Sequence, residues 1–120
     1  MKKALETLID CYNKNDFYGI SDYLCDDCAY SSQWVFDEKS GSEWIENYLI
    51  QKSLAIKNSG SKVIAKKGII HSQNNSKECA ILFQQNDLNP SCIILTEYDG
   101  EKIRQIDICM PELFQYECID

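Results

Sequence analysis

A chain of 120 residues, 44% hydrophobic and 26% charged, has the size and balance of one domain that buries a core without metal or disulfide staples. Its formal net charge of −7 repels nucleic acid and anionic headgroups, so neither nucleic acid nor a membrane is an expected partner. The seven cysteines at 11, 25, 28, 79, 92, 109 and 118 are an odd set without framework spacing, and Met1-Lys2-Lys3 leads into an amphipathic segment instead of an apolar signal core; a cytoplasmic protein with reduced thiols is expected.

Residues 3–14 place Leu5, Leu8, Ile9 and Tyr12 on one face of a helix and Lys3, Glu6, Asp10 and Asn13 away from it. Asn13-Lys14-Asn15 ends that helix. Asp16 is then placed to cap a second, shorter one whose buried stripe is Phe17, Ile20, Tyr23 and Leu24. Asp26-Asp27 reads as a solvated turn, and neighbouring carboxylates on a loop seldom converge on one site, so they receive no acid–base role. Cys25-Asp-Asp-Cys28 has zinc or redox spacing, but no second Cys pair follows and His71 is the only histidine. The motif also follows a helix, where no helix N-terminus lowers a thiol pKa. No metal and no cofactor are expected.

A first strand is predicted over 28–36, with Tyr30, Ser32, Trp34 and Phe36 on one side and Ser31, Gln33 and Val35 on the other. Gly41 breaks it, and Ser40 or Ser42 is placed to cap a third helix carrying Trp44, Ile45, Tyr48 and Leu49 on one face. Lys52 and Lys57 lie in its last turns and Asn58-Ser59-Gly60 stops it. Strands follow over 62–72 and 77–85, joined by Asn74-Asn75-Ser76, and over 92–98 and 102–110, joined by the hairpin signal Asp99-Gly100. Cys79, Cys92 and Cys109 lie inside these apolar runs, where a thiol behaves as a small hydrophobe. The tail keeps Leu113, Phe114, Tyr116 and Ile119 and is expected to pack on the body or on a partner. Helices followed by strands give an α+β class: three N-terminal helices on a curved antiparallel sheet.

The passage Asn15-Asp16 through Leu24-Cys25-Asp26-Asp27-Cys28-Ala29-Tyr30, the helix entry Gly41-Ser42-Glu43-Trp44-Ile45 and the hairpin Asp99-Gly100-Glu101-Lys102-Ile103 resemble the nuclear transport factor 2-like superfamily. That superfamily includes SnoaL-like polyketide cyclases and ketosteroid isomerases. Ser32-Gln33-Trp34-Val35-Phe36 followed by Gly41 looks like an uncharacterised bacterial branch of it. The resemblance spans nearly the whole chain and implies one domain over 1–120 with a cone-shaped, cystatin-like α+β roll. Laid on the isomerases, it sets the base position on Ser32, the oxyanion tyrosine on Leu8 and the oxyanion acid on Ile94. A serine and two aliphatic side chains cannot carry out that proton transfer, so the isomerase mechanism is disfavoured.

The resemblance also implies a cavity between the concave face of the sheet and the helices, with Ile106 and Ile108 on that face. With Leu8, Tyr12, Ser32, Trp34, Tyr48, Ile94, Thr96 and Tyr98 they make an apolar, aromatic lining with a few hydroxyls, suited to a small apolar or aromatic ligand. Trp34, Tyr48 and Tyr98 are expected to line it, and the first helix to close its narrow end. The competing reading is that the same residues fill a solid core. Asp107 alternates with Ile106 and Ile108 and faces away from the cavity, while His71, between Ile70 and Ser72, reads as a surface or satisfied histidine. Relatives commonly pair through the outer face of the sheet. The 77–85 strand is apolar on both sides, with Cys79, Ile81 and Phe83 against Ala80 and Leu82, so a homodimer is expected. Three function classes stay open: a small-molecule-binding protein, which leads; a SnoaL-like enzyme of isomerase, cyclase or hydrolase type acting on a small apolar substrate through His71 or a tyrosine; and an acidic protein-interaction or immunity module.

Overall fold

Two α-helices lie across the concave face of a seven-stranded sheet in the computed structural model, which describes residues 1–119 apart from the side chains of Val35 and Phe36. The faces assigned to those two side chains, and the last tail residue, lie outside the described residues. Helix α1, Lys3–Lys14, buries Leu5, Leu8 and Ile9 and ends at Asn15, which takes a left-handed conformation at φ 54°. The Asn13 side chain then bonds the α1 end to the sheet: its amide donates to the Ala65 carbonyl at 3.0 Å and accepts the Ala65 N–H at 2.7 Å.

The expected second helix is only a 3₁₀ turn, Ile20–Tyr23. Gly19 sits at φ 87°, which no helix admits, and Asp16 Oδ1 accepts the Tyr18 N–H at 3.1 Å within a tight turn instead of capping a helix. Phe17, Ile20 and Leu24 are buried all the same, so the stripe marks burial without helix. Strand β1, Leu24–Ser32, starts earlier than predicted and takes Asp26 and Asp27 into an exposed stretch where its register slips between Leu24 and Ala29. It also ends earlier. The chain turns at Gln33 and Trp34 and returns as β2, Val35–Ser40, so the strand predicted over 28–36 is the two arms of a hairpin. Contacts to the far end of the chain hold this turn: the Gln33 N–H donates to the Ile108 carbonyl at 3.0 Å and its side-chain oxygen accepts the Met110 N–H at 2.6 Å.

Helix α2, Ser42–Ser59, has Gly41 at its N-cap with φ 110°, and no serine side chain caps it. The Gly41 N–H instead donates to the Cys28 carbonyl at 2.9 Å, which joins the helix start to β1. Strands β3, Val63–His71, β4, Ser76–Gln84, β5, Cys92–Asp99, and β6, Lys102–Cys109, follow as antiparallel neighbours. After a 3₁₀ turn at Pro111–Leu113, β7, Gln115–Cys118, pairs with β3. The sheet order is β2-β1-β6-β5-β4-β3-β7, and β1 and β6 run parallel. The sheet is therefore mixed instead of wholly antiparallel, because β2 takes one edge of β1 and the other is filled by β6, which its hairpin with β5 has aimed the same way. No helix of the described residues is long and apolar enough to cross a membrane.

The main core joins Leu5, Leu8, Ile45 and Leu49 of the helices to Ala80, Ile94, Ile103 and Ile106 of the sheet. A second cluster lies on the convex face, where Cys79, Ile81 and Ile93 are fully buried beneath Phe83, Leu95 and Phe114 of the tail. Both sides of β4 thus carry buried residues, while Phe83, Leu95 and Phe114 stay half-buried on the convex side. Gly68 makes this possible: a Cβ there would stand 2.7 Å from Ile81 Cγ1, so only bare backbone lets Ile81 lie over β3. The seven cysteines are all free thiols.

Candidate ligand cavity

The concave face is filled at one end and open at the other. Leu8, Ile94, Thr96 and Ile106 are at most 1% exposed and belong to the solid end. Tyr98 closes the same end, where the Thr96 hydroxyl donates to its phenol oxygen at 2.8 Å and Lys2 Nζ lies 5.5 Å from its ring centre.

At the other end a cavity of about 260 Å³ opens between the helices and the sheet. Tyr12 and Asn15 reach it from the end of α1, Phe17 from the turn that follows, and Leu49, Lys52, Ser53 and Ile56 from α2. The sheet supplies Tyr30, Val63, Leu82, Gln84, Ser91, Cys92 and Ile108. Of the ten residues expected at the pocket, Tyr12 and Ile108 stand here. Ser32 and Tyr48 line a smaller cavity of about 140 Å³ with Asp37, Lys39 and Trp44, and Tyr30 is the wall between the two. Tyr48 is stacked on Trp44 at 5.0 Å and meets Tyr30 edge-on at 5.3 Å. Trp34 lines neither cavity: it sits on the β1–β2 turn, 53% exposed, because the strand that would have turned it inward stops at Ser32. The α2 contribution had a readable signal, since 49, 52, 53 and 56 have the i, i+3, i+4, i+7 spacing of one helix face. The strand ends at Leu82 and Cys92 had none.

Among the described residues, the wall of the larger cavity contains no aspartate, glutamate or histidine. Burial pushes the Tyr12 phenol well above its ordinary pKa and raises that of Tyr30 as well. It pushes the Cys92 thiol up to about 11, with the Lys52 ammonium pulling the other way. At neutral pH these groups keep their protons, so the wall offers donors and no base. Two polar groups hold the wall together: the Asn15 amide donates to the Ser53 carbonyl at 3.2 Å and the Ser53 hydroxyl to the Ile50 carbonyl at 2.9 Å.

His71 lies at the far end of β3, exposed, with Nδ1 3.3 Å from Ser76 Oγ and Nε2 3.2 Å from Glu117 Oε1. Asp107 faces the convex side, as its alternation predicts, and bonds Ser31 and, at 3.0 Å, the Gln105 amide. Neither reaches the cavity.

The sequence matches no protein-family model and no curated protein. Solved structures do match. An NTF2-like protein of unknown function from Cytophaga hutchinsonii superposes with a TM-score of 0.60 at 14% identity, over 92% of this chain and 89% of that one. A de novo designed protein with a curved β-sheet gives 0.63 at 17%, over 92% and 85%. A steroid delta-isomerase from Pseudomonas aeruginosa gives 0.59 at 12%, over 88% and 75%. The fold is thus that of NTF2-like and cystatin-fold proteins, as the resemblance implied. One fold here carries an enzyme, a protein of unknown function and a design.

Proposed function

We propose that this chain is a small-molecule-binding protein whose ligand enters the cavity between the end of α1, α2 and the wide end of the sheet. One observation carries the reading: an apolar cavity of about 260 Å³ whose described wall has proton donors and no group able to accept a proton at neutral pH. Ligand pockets of drug-sized molecules start at about 300 Å³, so this one suits a compact ligand of one or two rings. General acid–base catalysis needs a base within hydrogen-bond reach of the substrate. The isomerase or hydrolase reading rests on fold likeness and lacks that group in the larger cavity, the carboxylate of Asp37 lying in the smaller one.

The test is a thermal-shift and calorimetric screen of small aromatic and isoprenoid compounds. A ligand at about 100 times its Kd adds about 2.7 kcal/mol of stability, a rise of many degrees in melting temperature. The variant Ile108→Phe, which fills the cavity, is expected to fold and to lose the hit. Hits that bind it equally well would place the site elsewhere. Both tryptophans lie outside the larger cavity, so their emission is a poor reporter of its occupancy. The convex face presents the half-buried side chains of Phe83, Leu95 and Phe114, and a homodimer through it would cover them; light scattering at micromolar concentration decides between dimer and monomer.

A further inference from the structure

Resting on the binding reading above, we infer that the ligand is an organic anion, an aromatic or alicyclic carboxylate. Its ring would pack among Phe17, Leu82 and Ile108, and its acid group would be met by the Lys52 ammonium and the phenols of Tyr12 and Tyr30.

Three observations carry this. Lys52 is the only charged residue in the described wall of the larger cavity, and among the described residues it has no carboxylate within 4.0 Å. Its side chain is exposed at its outer end, and its ammonium stands 5.3 Å from the ring centre of Tyr48, one turn earlier on α2. Second, Tyr12, Tyr30 and Cys92 line the same cavity as Lys52, and the Lys52 charge pulls the Cys92 thiol pKa down against its burial. Third, neither phenol makes a hydrogen bond among the described residues, yet no buried side-chain oxygen or nitrogen lacks a partner there, so both hydroxyls reach open space, that of Tyr12 in the larger cavity and that of Tyr30 in one of the two cavities it divides. A cation and two neutral O–H donors around an apolar floor, with no carboxylate opposite them, complement a carboxylate and leave a cation or a neutral acceptor-poor ligand unmatched. This local pattern runs against the formal charge of −7 on the whole chain, which makes it a property of the site and not of the surface.

The experiment measures calorimetric affinity for trans-cinnamate against cinnamamide and indole-3-acetate against indole-3-acetamide, pairs alike in shape and different in charge. Wild type is expected to prefer each acid by about tenfold, the discrimination of one charge-assisted hydrogen bond at a half-open site. Lys52→Met should abolish the preference and keep the amide affinity. Lys52→Arg should restore it. The preference should also shrink as salt rises and the Debye length falls to about 3 Å. Acid and amide binding equally to wild type, or a preference unchanged in Lys52→Met, would overturn the anion assignment and leave the pocket standing. If none of the four compounds binds and the wider screen gives no hit sensitive to Ile108→Phe, the pocket reading falls and takes this inference with it.

Discussion

The two ends of the concave face are built from the same elements and packed in opposite ways. At the narrow end Leu5 and Leu8 of α1 share one buried core with Ile94 and Ile106, and no side chain of that group is more than 1% exposed. At the wide end α1 has already stopped at Lys14, Gly19 leads the chain away, and α2 offers Ser53 where its earlier turns offer Ile45 and Leu49. A shorter helix and one small polar residue leave the volume that Tyr12, Phe17, Leu82 and Ile108 surround. In this fold a cavity requires no special element; it appears where large apolar side chains are not supplied from above the sheet.

The largest effect that probes the contrast is on stability. Ile94→Ala in the solid end should cost about 2–5 kcal/mol, whereas Ile108→Ala, whose side chain already borders open volume, should fall toward or below the bottom of that range. Urea denaturation of the two variants measures the difference. Equal costs would mean that the wide end is packed as tightly as the narrow one.

A middle effect concerns the buried thiols. Burial pushes Cys28 and Cys79 from an ordinary value near 9 up to about 12. Because the folded pKa is the higher one, the unfolded chain gives up these protons first. The stability they contribute is complete below about pH 9 and is lost as pH rises toward about 12. Melting temperature should therefore fall across that window, and Cys79→Ala should flatten the fall. A melting temperature indifferent to alkali would contradict their burial in the folded state.

The smallest effect leaves stability untouched. With iodoacetamide at about pH 8, exposed Cys118 should react first and the half-buried Cys25 and Cys92 more slowly, while Cys28 and Cys79 should react only on unfolding. Ile108→Phe or a bound ligand should slow Cys92 alone. Labelling of Cys28 as fast as Cys92 would erase the distinction between the ends.

Much of the architecture was legible because it is local. The three-four spacing of Leu5, Leu8, Ile9 and Tyr12 marks α1, Asp99-Gly100 marks the β5–β6 turn, and period-two alternation sends Ile106 and Ile108 inward and Asp107 outward, all as observed. The β1–β2 turn was not legible. Ser32-Gln33-Trp34-Val35 has no glycine, proline or asparagine, and bonds from Gln33 to residues 108 and 110 hold it. The same holds for the shape of the candidate site. Tyr12 and Ile108 line the larger cavity while Leu8, Ile94, Thr96 and Ile106, identical in face and chemistry, lie in solid core, because the pattern says which side a residue faces and not how much volume its partners fill.

By itself, then, the sequence determined the helix and strand periods, the inward and outward faces and the α+β class, since each of these depends on neighbours within a few residues along the chain. Only the tertiary structure decided where β1 turns back, that β6 lies parallel beside it, that Phe114 closes the convex face and that the space beside Lys52 stays open. Those outcomes are sums over side-chain volumes and hydrogen bonds from residues far apart in the chain, and no local period encodes such a sum.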